Sequence, residues 1–374
     1  PDDPEEILRA LLDARARASL VIATGGIGPT RDDRTREAVA SAVGRPLRFH
    51  PGAENQVRAW CRRHRFLYRR AQRQQALFPE GAGVLRNRVG SAPGIWIRDR
   101  SGAMAVFPGV FSEMTAMFGG LIPRLRSLRP TSFATATLRS AGVGETRIDA
   151  RIGPATRRFP QVEVTTLASP GEVVIQLRAR GRAATRELSR CRRWMAQALG
   201  SDLVSERDVS LEEVLVDLLR SRGWRLATAE SCTAGQVAAR VTRVPGSSSV
   251  FVGGVVCYND LAKEHLLAIP HAALARGGAV SRPVALAMAR GAANRMRAEV
   301  AVAVTGIAGP GGGTSRNPVG TIHWAVVHPG GESSQTRKLA GGREKIRAHA
   351  SCIALDLVRR ILLAERSGSA RHRA

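Results

Sequence analysis

The sequence predicts an α/β protein: two three-layer α/β domains with mostly parallel sheets, joined by a small α+β module. Three observations carry this. Strand, loop and helix follow one another at Leu20-Val21-Ile22-Ala23 with the loop Thr24 to Asp33, and again at Trp224-Arg225-Leu226-Ala227-Thr228 with the turn Ala229 to Gly235. Such units build doubly wound sheets whose ligands lie beyond the carboxyl ends of the strands. Between about Pro130 and Gly200 the texture changes to alternating strands flanked by helical stretches. At 374 residues the chain has material for two or three domains, expected at 1–129, 130–200 and 201–374.

The elements follow from local chemistry. Asp2 or Asp3 caps a first helix that carries Pro4, Glu5 and Glu6 at its positive end and Ile7, Leu8, Leu11 and Leu12 on one face. A helix over Thr35 to Val43 closes at Gly44, and a hairpin joins Gly94–Ile97 to Ala103–Val106 through Arg100-Ser101-Gly102. A short helix comes after Pro108-Gly109-Val110. Val162–Val164 and Val173–Leu177 alternate as strands. Ser201 to Asp208 reads as a polar linker, and Ser210 caps the next helix with Glu213 three residues on. Beyond the Trp224 strand come the helix Gln236–Val241, the strand Val250–Cys257, a helix containing Lys263, the helix Val284–Met296 and the strand Val300–Val304. A glycine loop, Thr305 to Gly313, leads to the strand Gly320–Val327, a short strand near Gln335–Leu339, and a terminal helix from Arg343 to about Arg366.

Composition excludes several classes. No run of about eighteen apolar residues occurs and no basic, then apolar, N-terminal stretch is present, so the reading is a cytoplasmic protein with no membrane span. Five scattered cysteines without a CxxC pair suggest reduced thiols. The net charge of +26 would point to polyanions. Nearly all of the excess is arginine spread over every segment, which a genome-wide arginine bias also explains. The densest stretch, Arg58 to Arg73, interleaves Trp60, Phe66 and Tyr68 with arginines; it reads as a solvated helix-loop face or as a track for a nucleic-acid backbone.

The candidate chemistry lies at Ser231-Cys232-Thr233-Ala234-Gly235. Small polar residues between a buried strand and a helix place hydroxyls beside free amides, which hold an oxyanion or a phosphate; helix capping is the plainer role. Amide hydrolysis needs a nucleophile, a base and oxyanion donors. Ser231 supplies the first, with Cys232 as rival. Tyr258 and Lys263 end one strand and begin the next helix. Lysine is rare here, at Lys263, Lys338 and Lys345 only, and unlike arginine it can lose its proton. The loop with Thr305, Gly306 and Gly309 admits close backbone approach, and Arg343 and Arg347 are candidate phosphate ligands.

Taken together, Ala229-Glu230-Ser231-Cys232-Thr233, Val244-Pro245-Gly246-Ser247-Ser248, Gly253-Gly254-Val255-Val256 with Tyr258, and Val304 through Gly312 resemble the C-terminal domain of the competence/damage-inducible protein CinA family. That domain is known as a nicotinamide-nucleotide amidase, which converts nicotinamide mononucleotide to nicotinate mononucleotide and ammonia without a metal. The resemblance implies Ser231 as nucleophile, Tyr258 and Lys263 as the assisting pair, and a pyridine nucleotide substrate; the candidate substrate-binding residues are Cys232, Thr233, Gly235, Thr305, Gly306, Gly309, Arg343 and Arg347, the two arginines reading equally as solvated cations, and a homodimer is expected. Thr24–Thr30 with Asp32-Asp33, Phe78-Pro79-Glu80-Gly81-Ala82, Val89–Gly94 and Phe107–Val110 with Glu113-Met114 resemble the family's molybdopterin-binding-like N-terminal domain, associated with metal-dependent ADP-ribose pyrophosphatase activity. This implies a divalent metal on Asp32, Asp33 and Glu80. Gly142–Thr146 and Ala179-Arg180-Gly181 resemble the family's KH-like module, although its GXXG clamp is not evident. The chain departs from the family pattern in two ways: the opening strand with its Gly-Asp-Glu motif and the first helix are absent, and Ala234 replaces a glycine. Two rival readings stand beside the amidase, a metal-dependent pyrophosphatase in the N-terminal domain and a nucleic-acid-binding competence factor without enzymatic activity.

Overall fold

The computed structural model describes residues 3–125 and 133–371. Asp2 and the expected boundary at 129 lie outside them. The chain divides into two compact units, Pro1–Pro130 and Thr131–Ala374.

The first unit begins with α1 (Pro4–Arg17), capped by Asp3, whose carboxylate accepts from the Glu5 amide at 2.9 Å. Leu11 is buried, whereas Leu12 is 48% exposed, so the apolar stripe is narrower than its sequence suggests. Next come β1 (Leu20–Thr24), α2 (Thr35–Ala42), β2 (Leu47–Phe49), α3 (Pro51–His64), α4 (Arg70–Gln74), β3 (Leu77–Pro79), β4 (Gly83–Leu85), β5 (Gly94–Asp99), β6 (Gly102–Phe107) and α5 (Phe111–Leu125), which is longer than the short helix expected. The sheet order is β1-β6-β5-β4, with β1 parallel to β6 and the other pairs antiparallel.

The second unit opens with a strand that the sequence reading does not find, β7 (Phe133–Ala141), and continues with α6 (Glu145–Ile152), α7 (Ala155–Arg158), β8 (Val162–Ser169), β9 (Glu172–Arg180), α8 (Gly181–Leu199) and β10 (Leu203–Ser205). These strands form an antiparallel sheet in the order β10-β7-β9-β8. The stretch 201–208 is therefore not a simple linker. Its Asp202 is buried and pairs with Arg151 at 2.7 Å and Arg360 at 2.9 Å, while Arg359 donates to the carbonyls of Ser201 and Leu203.

The remaining elements are α9 (Leu211–Arg222), β11 (Leu226–Glu230), α10 (Gln236–Val241), β12 (Phe251–Val256), α11 (Asp260–Leu267), α12 (His271–Gly277), α13 (Arg282–Met296), β13 (Val300–Gly306), β14 (Thr321–His328), β15 (Gly331–Lys338) and α14 (Arg343–Arg371). Ser210 and Glu213 form a reciprocal capping box on α9, as their spacing predicts. The sheet order is β12-β11-β13-β14-β15. β11 lies between two parallel neighbours, and β14 and β15 add antiparallel. The α/β class holds, but both α/β sheets are mixed rather than mostly parallel. Short connections such as Asp99 to Gly102 and His328 to Gly331 can only return the chain antiparallel; a parallel return needs a crossover.

Alternation along the strands separates the two faces of this sheet. Leu226, Val300, Val302, Val304 and Trp324 enter the core that also holds Leu215, Leu219, Ile353 and Val358, from α9 and α14. Ala227, Ala229, Ala301, Ala303 and Ala325 face the other way and pack with Ala285, Ala289 and Ala292 of α13. Small residues on both sides let that helix lie close to the sheet.

Candidate active site

Ser231 follows the last residue of β11, in the middle of the parallel part of the sheet. Its amide donates to the Val304 carbonyl at 2.9 Å, and the Cys257 amide donates to the Glu230 carbonyl at 2.8 Å. The ends of β11, β12 and β13 thus meet at one rim. Ser231 is buried, with 8% exposure, and no capping bond from its side chain to α10 is formed.

The cap is Glu230, a residue to which the sequence reading gives no role. Its buried carboxylate accepts from the amides of Gly235 at 2.9 Å, Val237 at 3.0 Å and Ala238 at 2.8 Å. A carboxylate is suited to the positive end of a helix. The Ala234 amide goes to the Ser231 carbonyl and that of Gln236 to the Thr233 carbonyl. This accounting gives the amides of Cys232 and Thr233 no backbone acceptor among the described residues; both lie against the Cys232 thiol. A sequence signal exists: an acidic residue closing an otherwise apolar buried strand immediately before a helix. Glu230→Ala strands three amides, one buried and two half-buried, and should cost about 3 kcal/mol, seen as a fall in melting temperature of roughly 6–12 °C; an unchanged melting temperature would contradict this assignment.

Ala234 adopts φ +49° and Gly235 φ +92°. The left-handed conformation is costly for any residue with a Cβ, so the alanine at 234 is strained rather than crowded. Ala234→Gly should raise stability by about 1 kcal/mol, measured as a higher denaturation midpoint with the same slope. Cys232 sits in the apolar core, and burial pushes its thiol up to about 12.

Lys263 is buried at 2% exposure, and its Nζ lies 3.3 Å from Oδ1 of Asp260. It shares a face of α11 with Leu267, which joins the core on the α13 side of the sheet. Tyr258, in contrast, is 56% exposed, and its hydroxyl accepts from Arg343 Nη2 at 2.6 Å. Arg343 Nη1 donates to the Gly309 carbonyl at 2.7 Å, and Arg347 donates through Nε to the Cys232 carbonyl and through Nη2 to the Thr233 carbonyl, both at 3.1 Å. The two arginines hold the turn, the glycine loop and Tyr258 together. Their guanidinium donors are engaged with carbonyls, a phenol and, through Arg347 Nη1, the Glu344 carboxylate at 2.8 Å, which makes them braces of the site before they are ligands.

Thr305 is buried and its hydroxyl donates to the Ala279 carbonyl at 2.9 Å. Gly306 is required by packing: a Cβ there would stand 2.6 Å from the Thr321 carbonyl oxygen of the adjacent strand. A Cβ on Gly309 would meet Val319 at 2.7 Å. The glycines are thus explained by close approach of the chain to itself, and the Thr233 hydroxyl is a buried group without a partner among the described residues.

In the first unit the three acidic candidates are not brought together. Asp32 is exposed, and Asp33 Oδ2 accepts from the Thr30 amide at 2.8 Å and the Thr30 hydroxyl at 2.6 Å. Both precede α2. Glu80 is exposed and attached beyond the other end of that helix, its amide on the Pro46 carbonyl and its carbonyl on Arg45. Eight helical residues span about 12 Å. Among the described residues no cluster of three or more His, Cys, Asp or Glu could hold a metal ion, and no helix is long and apolar enough to cross a membrane.

Residues 208–362 match the family model of the CinA C-terminal domain, and residues 1–127 match that of a probable molybdopterin binding domain. A CinA-like protein of Kosmotoga olearia is 35% identical over 368 residues, covering 97% of this chain and 89% of the relative. A putative competence-damage inducible protein of Symbiobacterium thermophilum is 39% identical over 374 residues, covering 95% and 88%. The solved structure of the competence/damage inducible protein CihA from Agrobacterium tumefaciens shares 41% identity over 40% of this chain and 91% of that one, with a TM-score of 0.39. With relatives of this identity matched along most of their length, the chain belongs to the CinA family.

Proposed function

We propose that the C-terminal domain hydrolyses the carboxamide of nicotinamide mononucleotide, releasing ammonia and nicotinate mononucleotide. The observation that supports the reading is that Ser231, in the turn after β11, and Lys263, on α11, are both buried polar groups. Alternation puts Ala227 and Ala229 on the α13 side of the sheet; carried past Glu230, it directs Ser231 to the side on which Lys263 is buried. Membership of the CinA family supports the same reaction.

In this mechanism the Ser231 hydroxyl attacks the amide carbon and its proton passes to Lys263, with Tyr258 orienting the substrate or relaying the proton. The amides of Cys232 and Thr233 hold the oxyanion. Collapse expels ammonia with the proton from Lys263; a water deprotonated by the same amine then cleaves the acyl ester, and that proton returns from Lys263 to the departing Ser231 oxygen. No metal or organic cofactor takes part in this sequence. The test is the full chain incubated with nicotinamide mononucleotide in the presence of a chelator. Ammonia and nicotinate mononucleotide are expected in equal amounts, and a folded chain that yields neither overturns the reading.

A further inference from the structure

The stretch Arg58 to Arg73 has no part in the amide chemistry, yet it is organised. Beside α3 lies a cavity of about 780 Å³ whose lining includes Gln56, Trp60, Arg63, Arg86 and Arg88 and contains no carboxylate. Its volume is that of a small-ligand site. Arg63, Arg86 and Arg88 are exposed and make no hydrogen bond or ion pair among the described residues. Arg58, nearby, is already committed: it pairs with Glu54 at 2.8 Å and lies 4.0 Å over the Tyr68 ring. The Gln56 Oε1 accepts from the Asn87 amide at 3.1 Å, leaving its buried Nε2 as an unused donor.

An aromatic cluster borders the cavity. The Trp60 indole donates to the Val89 carbonyl at 3.3 Å, its ring stacks on His64 at 4.4 Å, and Phe66 lies 5.3 Å away. Phe66 is 60% exposed. The turn that delivers it passes through Arg65 at φ +59°, a conformation glycine would adopt more cheaply. Arg62, Arg65, Arg69 and Arg70 continue the exposed cations along the chain.

We propose that this face of the N-terminal unit binds single-stranded nucleic acid. Phosphates meet Arg63, Arg86 and Arg88, and an unpaired base stacks on Phe66. A small phosphorylated ligand would use the cavity but not the exposed ring or the cations beyond it, whereas a single strand uses all three. A duplex keeps its bases stacked and offers no face to Phe66.

The test separates this face from bulk attraction by the net charge of +26. Binding of a fluorescent oligothymidylate to the full chain is measured by anisotropy as a function of salt. Arg63→Gln with Arg86→Gln and Arg88→Gln should reduce the salt slope by about 2, from roughly 0.7 per phosphate contact. A control with equal charge change, Arg9→Gln with Arg100→Gln and Arg193→Gln, should leave the slope unchanged. Phe66→Ala should weaken binding about tenfold. The melting temperature of each variant verifies folding. Equal losses in both triple variants, tighter binding of a duplex, or no binding of the oligothymidylate would each overturn the proposal.

Discussion

Ser231→Ala is expected to lower ammonia release from nicotinamide mononucleotide by on the order of 10⁴-fold or more, because the residual rate then comes from the oxyanion donors and substrate binding alone. The fall should appear in kcat with KM nearly constant, since the groups that place the substrate are untouched. Folding should survive as well: the turn is held by the Ser231 amide on Val304, by Glu230 on α10 and by Arg347 on two carbonyls, none of which uses the Ser231 hydroxyl. Cys232→Ala should retain most of the rate. Burial pushes its thiol up to about 12, so it keeps its proton at neutral pH. A Ser231→Ala protein with a tenth of the parent rate, or a dead Cys232→Ala protein that is still folded, would remove Ser231 from its assigned role.

Lys263→Met should lower kcat by about 10²- to 10⁴-fold, the usual contribution of a positioned general base. Methionine fills a similar volume, and removing a buried cation is often neutral or stabilising when its partner remains solvated; Asp260 is exposed enough to do so, at 56% for its side chain. Loss of activity without loss of melting temperature is therefore the expected pattern. Lys263→Arg should be as slow as Lys263→Met, because guanidinium keeps its charge and cannot accept the proton. An arginine variant with parental rate would show that the position needs only a cation.

Much of the fold is legible locally. The reciprocal Ser210 and Glu213 cap, the glycine after α2 and the apolar strands around Leu226 and Val302 are all written in short windows. β7 escapes because Phe133-Ala134-Thr135-Ala136-Thr137 alternates small and polar residues with little apolar contrast. β10 escapes because three residues carry no period, and only β7 across the sheet makes them a strand. At the candidate site, Ser231 and Lys263 can be singled out from the sequence by residue type and position. What Arg343 and Arg347 touch is not, because apart from Glu344 their partners lie 34 to 115 residues away. The glycines of the loop show the same limit: their sequence signature is equally that of a ligand cradle and of two strands in close contact, and only the Thr321 carbonyl beside Gly306 decides between them.

The ion pairs at Asp202 bear on how the molecule unfolds. Arg151 from the antiparallel module and Arg360 from the terminal helix grip the same buried carboxylate, while Arg240, on the helix that follows the Ser231 turn, reaches Glu172 of that module at 3.0 Å. Neither sheet can open without leaving a buried charge unpaired, which is strongly destabilising. Heat should therefore melt residues 133–371 as one cooperative block, so that calorimetry resolves at most two transitions for the chain instead of one for each sheet.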